Sequence, residues 1–147
     1  GPSGERTIAV EDLFQGYLET ALAPDELIVE VNVPAAAAHT AYLKHTTRSA
    51  DDWPALGIAV ALDMQGDSVS DARVAIGAAT DTPRRLTSVE AALQGEALSD
   101  AAINRAGEAA AAEAEVHSDA RGSAAYKREL VRVFTGRAIR QATGREA

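Results

Sequence analysis

The sequence predicts an α+β domain: an antiparallel sheet of about four strands followed by about three helices packed on one face. Three observations predict it. Apolar residues alternate with period two through the first half of the chain and take a helical period after Thr87. Strands come first and helices follow, which is the α+β order. The sequence has no parallel βαβ unit and no G-x-G-x-x-G after a strand, so no self-contained dinucleotide fold is visible in it.

The elements follow in order. Thr7 to Val10 is a short extended piece, and Leu13-Phe14 with Tyr17-Leu18 marks a brief helical or irregular turn. Ala23-Pro24-Asp25-Glu26 is turn chemistry, because Pro presets its own dihedral and Asp favours local backbone bonds. Leu27 to Val33 is a strong strand with Leu27, Val29, Val31 and Val33 on one side, and Pro34 ends it by removing a donor. His39 to Thr47 is the next strand. Leu56 to Leu62 is nearly continuous in apolar residues and reads as a central strand. Gln65-Gly66-Asp67 is a hairpin loop, and Val69 to Ala79 is the strand after it. Thr87-Ser88-Val89-Glu90 reads as a capping box, with Thr87 capping and Glu90 reaching back. The helix it opens stops at Gly95. Ser99-Asp100 caps an Ala-rich helix to about Glu115. After a polar break, Ser123 starts a third helix to about Gln141, with Tyr126, Leu130, Phe134 and Ala138 on one stripe.

The length of 147 residues suits one domain with one core. Aromatics are only 4%, so that core rests on small aliphatic side chains. A net charge of −8 argues against a nucleic-acid footprint, which needs a basic face. With no cysteine, disulfides, thiolate metal sites and iron–sulfur ligation by this chain are excluded, which fits a reducing cytoplasm. No segment is long and apolar enough for a membrane span. Gly1 to Gly4 read as an expression scar or an interdomain junction, and 143–147 as a tail.

The most informative stretch runs from Ala41 to Asp52, where Lys44, Arg48, Asp51 and Asp52 gather at a strand end. On charge alone the loop is either solvated rim or a polar contact surface. Lys44 and His45 point to opposite faces of their strand. Asp51-Asp52 suits a salt bridge to Arg48 or solvation better than paired acid–base work. His39, His45 and His117 lack metal-ligand spacing, and no serine sits in a nucleophile context. Thr82-Pro83-Arg84-Arg85 is a phosphate candidate or a lead-in to the helix with solvated arginines. Glu108, Glu113 and Glu115 read as a solvated helix face. Trp53, the only tryptophan, is either a local core plug or a ring exposed for a planar ligand, and the plug is the preferred reading.

Four segments taken together carry a resemblance. They are Phe14 to Leu22 followed by Pro24-Asp25-Glu26-Leu27-Ile28 and the strand ending at Pro34; Tyr42-Leu43-Lys44 through Arg48 and Asp51-Asp52; Ala75-Ile76-Gly77 with Thr82-Pro83-Arg84-Arg85, Glu90, Leu93 and Gly95; and Ser118 through Arg128. In this order they resemble the C-terminal domain of the flavoprotein (medium) subunits of the molybdenum hydroxylases, the family of carbon monoxide dehydrogenase and xanthine dehydrogenase. The resemblance covers nearly the whole chain and implies a domain over 5–142.

The resemblance implies a cytoplasmic oxidoreductase component. FAD would lie between an N-terminal FAD-binding region and this domain. It would pass electrons between iron–sulfur clusters on a small subunit and an outside acceptor, while a large subunit carries the molybdenum cofactor. The resemblance further implies flavin-side positions for Tyr17, Ile28, Lys44, Arg48, Asp51 and Asp52. Ile28 would make a backbone or packing contact, Lys44 would act as a cation near the flavin or its phosphates, and Arg48, Asp51 and Asp52 would set the field beside the ring. Charge there tunes potential and acceptor access. The family's Gly-rich cradle has no match here, so weak or no FAD binding and negligible activity are expected of this polypeptide alone. The competing readings are a free-standing small domain that reuses the scaffold for ligand binding or assembly, and a purely structural interaction module.

Overall fold

The computed structural model describes residues 1–49 and 52–145. By contacts the chain divides into two compact units, Gly1–Ala35 and Ala36–Ala147.

In the first unit a single helical turn, α1 (Val10–Leu13), leads into a hairpin of β1 (Phe14–Gly16) and β2 (Glu19–Thr20). Leu18 turns the hairpin at φ 59. The expected turn at Ala23–Glu26 is present, closed by the Glu26 N–H donating to the Ala23 carbonyl over 3.0 Å. Arg6 clamps it, donating through Nε and Nη2 to the two Glu26 carboxylate oxygens, each over 2.7 Å, and through Nη2 to the Ala21 carbonyl. The guanidinium and the Ala23 N–H hold the Glu26 carboxyl at about 2, against an ordinary 4.5. A depressed carboxyl contributes stability above its unfolded value and loses it as pH falls through the folded one. The clamp is therefore complete above pH 4.5 and releases as pH falls towards 2. A carbon-detected NMR titration should find the Glu26 midpoint near 2, and Arg6→Ala should return it towards 4.5.

The strand expected over Leu27–Val33 is the main correction. The segment joins no sheet among the described residues. Its apolar stripe lies in the open, with Leu27, Val29, Val31 and Val33 between 74% and 83% exposed. The first unit's own two-strand hairpin offers these residues no ladder, and a strand needs a partner for its backbone groups.

The second unit holds a four-stranded antiparallel sheet in the order β3 (His39–His45), β4 (Leu56–Gln65), β5 (Ser68–Gly77), β6 (Arg84–Arg85). The expected strand count and pairing sense hold, but the fourth member is the two-residue strand Arg84–Arg85. Gly66 supplies the positive φ, 62°, that the hairpin between β4 and β5 requires. Cross-strand register sorts the side chains into two faces. Leu43, Ile58 and Ile76 align on one, as do Ala41, Val60 and Val74. That face is the core. It is covered by α2 (Thr87–Leu93) and α4 (Ala124–Ala142), with α3 (Asp100–Glu113) packed against both helices, and Val89, Leu93, Ile103, Ala106, Val131 and Ile139 of the three are buried in the same core. Each fully buried Leu, Ile or Val contributes about 1.5–3 kcal/mol.

The helix ends test the local signals. Ser99 and Ser123 cap as expected, accepting from the Ala102 and Tyr126 N–H groups, each over 3.2 Å. Gly95 stops α2 at φ 77. The capping box at Thr87 does not form. Instead Glu113, at the end of α3, accepts from the Thr87 and Ser88 N–H groups over 3.0 and 2.9 Å. Glu90 turns towards the sheet, accepting from the Val74 N–H over 2.9 Å and from Arg85. The arginines and Glu115 stay exposed, as read, while pairing at the surface: Arg84 meets Glu115 at 2.8 Å and Arg85 meets Glu90.

Candidate flavin-facing site

Within the second unit, and among the described residues, α2, α3 and α4 lie on the core side, and none of them lies on the sheet's second face. Its rows are Lys44–Gly57–Gly77, Tyr42–Ala59–Ala75–Arg85 and Thr40–Ala61–Arg73. The central positions are Gly or Ala, so the face is smooth, with Tyr42 and Lys44 on one margin and Arg73 and Arg85 on the other. Tyr42 lies across Gly57: a Cβ at Gly57 would stand 2.8 Å from the Tyr42 hydroxyl. Alternation fixes Lys44 on this face and sends His45 to the helix side, where it meets the Phe134 ring edge-on at 5.0 Å between centroids.

Beyond His45 the chain forms a loop. Lys44, Thr46, Thr47, Arg48 and Ser49 line a cleft of about 420 Å³. Every lining residue carries a polar or charged side chain, although carbon atoms make up about half of the lining surface, and the cleft suits a group that hydrogen-bonds at one edge. Asp52 organises the far side. It accepts from the Trp53 N–H over 2.8 Å and from the Thr47 hydroxyl over 3.5 Å, and it faces Arg48 at 3.8 Å. Of the two readings open for the acidic pair, salt bridge or solvation, Asp52 makes the long contact to Arg48, whose side chain stays exposed, and such a pair contributes at most about 1 kcal/mol. The Ala55 N–H donates to the His45 carbonyl over 2.8 Å and closes the loop. Trp53 is 75% exposed, so the preferred plug reading is wrong and the ring stands in solvent. Pro54 and the Asp52 bond hold its backbone extended while no core position receives the indole.

Lys44, Arg48 and Asp52 are thus gathered at one end of the open face. Asp51 lies outside the described residues. Tyr17, at the β1–β2 hairpin tip, and Ile28, in the extended segment, belong to the first unit, and both are exposed. Sequence reasoning missed Tyr42, whose signal was its place two residues before Lys44 on a strand. Among the described residues no group of three His, Asp or Glu side chains gathers as a metal site, and no helix is long and apolar enough to cross a membrane.

Comparison with known proteins gives this geometry a family. Residues 41–142 match the CO dehydrogenase flavoprotein C-terminal domain. The chain belongs to that family. The match begins within β3 and runs to the end of α4. Similar proteins include the carbon monoxide dehydrogenase medium chain of Hydrogenophaga pseudoflava, 34% identical over 99% of this chain and 51% of that one. The nicotine 6-hydroxylase medium subunit of Paenarthrobacter nicotinovorans is 36% identical over 97% of this chain and 50% of that one. Among solved structures, carbon monoxide dehydrogenase from H. pseudoflava, in a form lacking the Mo-pyranopterin moiety of its molybdenum cofactor, superposes with a TM-score of 0.90. It is 38% identical, over 100% of this chain and 52% of that one. Quinoline 2-oxidoreductase from Pseudomonas putida 86 gives a TM-score of 0.89 at 28% identity, over 97% of this chain and 50% of that one. The chain spans about half the length of the curated relatives it matches.

Proposed function

We propose that this chain serves as the C-terminal domain of a flavin-carrying medium subunit of a cytoplasmic molybdenum hydroxylase, bounded at about residues 5–142, and forms one wall of an FAD site. The carrying observation is the bare sheet face. A smooth Gly/Ala surface flanked by Tyr42 and Lys44 ends in a polar cleft, on a chain that belongs to a flavoprotein domain family. These residues fit a flavin: small side chains admit a flat ring, Tyr42 offers an aromatic edge, and Lys44 and Arg48 offer positive charge. The flavin, when bound, supplies the electron transfer between iron–sulfur clusters and an external acceptor. The clusters and the molybdenum cofactor belong, in this proposal, to a small and a large partner subunit. The names of the relatives, medium chains and a medium subunit, support an assembly of this kind.

The chain's own residues bind and tune. Lys44 favours added negative charge on the ring, while Arg48, with Asp52 beside it, shapes the local field. Asp51, outside the described residues, is assigned the opposite effect, disfavouring the anionic reduced ring that Lys44 favours. Ile28 and Tyr17 are assigned flavin-side contacts from the first unit. Ile28 is the apolar member of the Ile28, Glu30, Asn32 side of its segment, opposite the Leu27–Val33 stripe. That stripe leaves a run of exposed apolar surface on a segment that joins no sheet among the described residues, which suits addition to a sheet of the N-terminal FAD-binding region. The reading as a free-standing ligand or assembly module is disfavoured by relatives twice as long that are named as subunits.

Purification from the native host of the polypeptide that carries these residues tests the proposal. Acid release should free one FAD per polypeptide, and its absence would refute the proposal. In that material Lys44→Gln should lower the flavin midpoint potential by about 20 mV, the equivalent of about 1 kcal/mol for a two-electron couple.

A further inference from the structure

The loop after β3 is held at both ends by the segment that opens α4. At its start His45 Nε2 lies within hydrogen-bonding distance, 3.3 Å, of the Tyr126 hydroxyl. At its end Arg121 Nε donates to the Trp53 carbonyl over 3.3 Å. Both partners come from one short stretch, and that stretch is built to stay still. Asp119 and Gly122 exchange backbone hydrogen bonds of 3.0 and 3.2 Å, closing a tight turn. The Asp119 carboxylate accepts from the Arg121 N–H over 2.8 Å and meets the buried Lys127 ammonium at 2.7 Å. The Ser118 hydroxyl accepts from the Ala124 N–H over 2.8 Å. Gly122, at φ 154, leaves room for the Tyr126 ring: a Cβ there would stand 2.6 Å from Tyr126 Cδ1. The turn thus seats Tyr126 and aims Arg121.

We propose that Arg121 and Tyr126 are positioning residues that latch the Lys44–Asp52 loop and so fix where its charges stand against the flavin. This inference rests on the flavin-facing reading above. Neither residue touches the reacting atoms. Each acts through the loop, Tyr126 at His45 and Arg121 at Trp53. The fourth segment of the family resemblance, Ser118 to Arg128, thereby gains a physical role as the anvil against which the charged loop is held.

Two readouts test the latch and the flavin reading separately. The first uses the 147-residue chain and needs no flavin. Amide exchange is followed at Ala55, which donates to the His45 carbonyl, and at Asp52, which donates to the Ser49 carbonyl, with Ile58 and Val60 of the central strand as reference. Tyr126→Phe keeps the ring and removes the hydroxyl, and Arg121→Met removes the donor. Each should speed exchange at Ala55 and Asp52 by up to about tenfold, the factor for one lost hydrogen bond, and leave Ile58 and Val60 unchanged. Arg121→Lys should restore part of the protection. Unchanged exchange at Ala55 and Asp52, or equal acceleration in the central strand, would overturn the latch. The second readout is the flavin midpoint potential of the polypeptide purified with its cofactor. Tyr126→Phe and Arg121→Met should shift it, and Arg121→Lys should shift it less. Faster loop exchange with an unmoved potential would overturn the role against the flavin, leaving only a structural brace and counting against the flavin-facing reading itself.

Discussion

Asp119→Ala should lower the stability of the second unit by about 3 kcal/mol. Lys127 is 2% exposed and its ammonium meets the Asp119 carboxylate at 2.7 Å. Removing the carboxylate leaves a cation in the interior with its partner gone. The penalty for breaking a buried pair is about 3–5 kcal/mol, and the low end applies because the Asp119 side chain is 38% exposed and admits water. The same logic predicts an asymmetry: Lys127→Met alone should cost less, since it leaves a partly hydrated carboxylate, and the double variant should recover part of the loss. The Lys127 ammonium, with the Arg121 N–H, depresses the Asp119 carboxyl below its ordinary 3.8. The pair's contribution is therefore fully present above that value and fades as pH falls through the lower folded one. Urea unfolding of the three variants at neutral pH and below about pH 4 checks both statements.

Gly107→Val should cost about 1–3 kcal/mol for overpacking, with Gly107→Ala towards the lower end. Gly107 lies in α3 where the helix runs closest to α4. A Cβ at this position would stand 2.7 Å from the Arg132 carbonyl oxygen. That neighbour is backbone inside a helix and cannot swing aside, so the two helices must part. Gly136 on α4 contributes to the same close approach; its Cβ would meet Ile103 Cγ2 at 3.4 Å. The intrinsic gain in helix propensity from Gly to Ala, about 1 kcal/mol, works in the opposite direction. The net change in thermal unfolding for Gly107→Ala is therefore the steric term less that gain, and adding about 1 kcal/mol back to it gives the steric term. Gly66, open on all sides at φ 62, separates the two effects: Ala there meets no atom and loses only by backbone strain.

What could be read from the sequence was set by how local its cause is. Ser99, Ser123, Gly95 and the Gly66 hairpin act within a few residues, and their signals were legible in the chain. The alternation through His39–His45, Leu56–Gln65 and Ser68–Gly77 revealed the sheet and placed Lys44 on the face opposite His45. Glu113 capping α2 was not legible, because it reaches 25 residues back from another helix. Nor was Glu90 bonding the Val74 N–H, which diverts the acid that a capping box needs. Leu27–Val33 has every local mark of a strand, yet strand formation depends on a neighbour that local pattern cannot supply. The burial of Lys127 was not legible either, since its partner Asp119 comes from the turn before α4. For the site, Lys44, Arg48 and Asp52 stood out because they crowd one loop and fall in a segment of the family resemblance, whereas Tyr42 was quoted in that segment without being given a role. Trp53 was misjudged because a lone indole favours burial on composition alone.

Backbone hydrogen exchange of the native flavin-containing polypeptide, compared before and after the flavin is stripped, tests most directly whether the open sheet face and its charged loop stand against a flavin. Flavin removal should accelerate exchange at 42–49, at 52–53 and at the open-face positions Gly57, Ala59, Ala75 and Gly77, with the buried α3 residues Ile103 and Ala106 unaffected. Protection that is the same with and without flavin across 42–49 would contradict that placement.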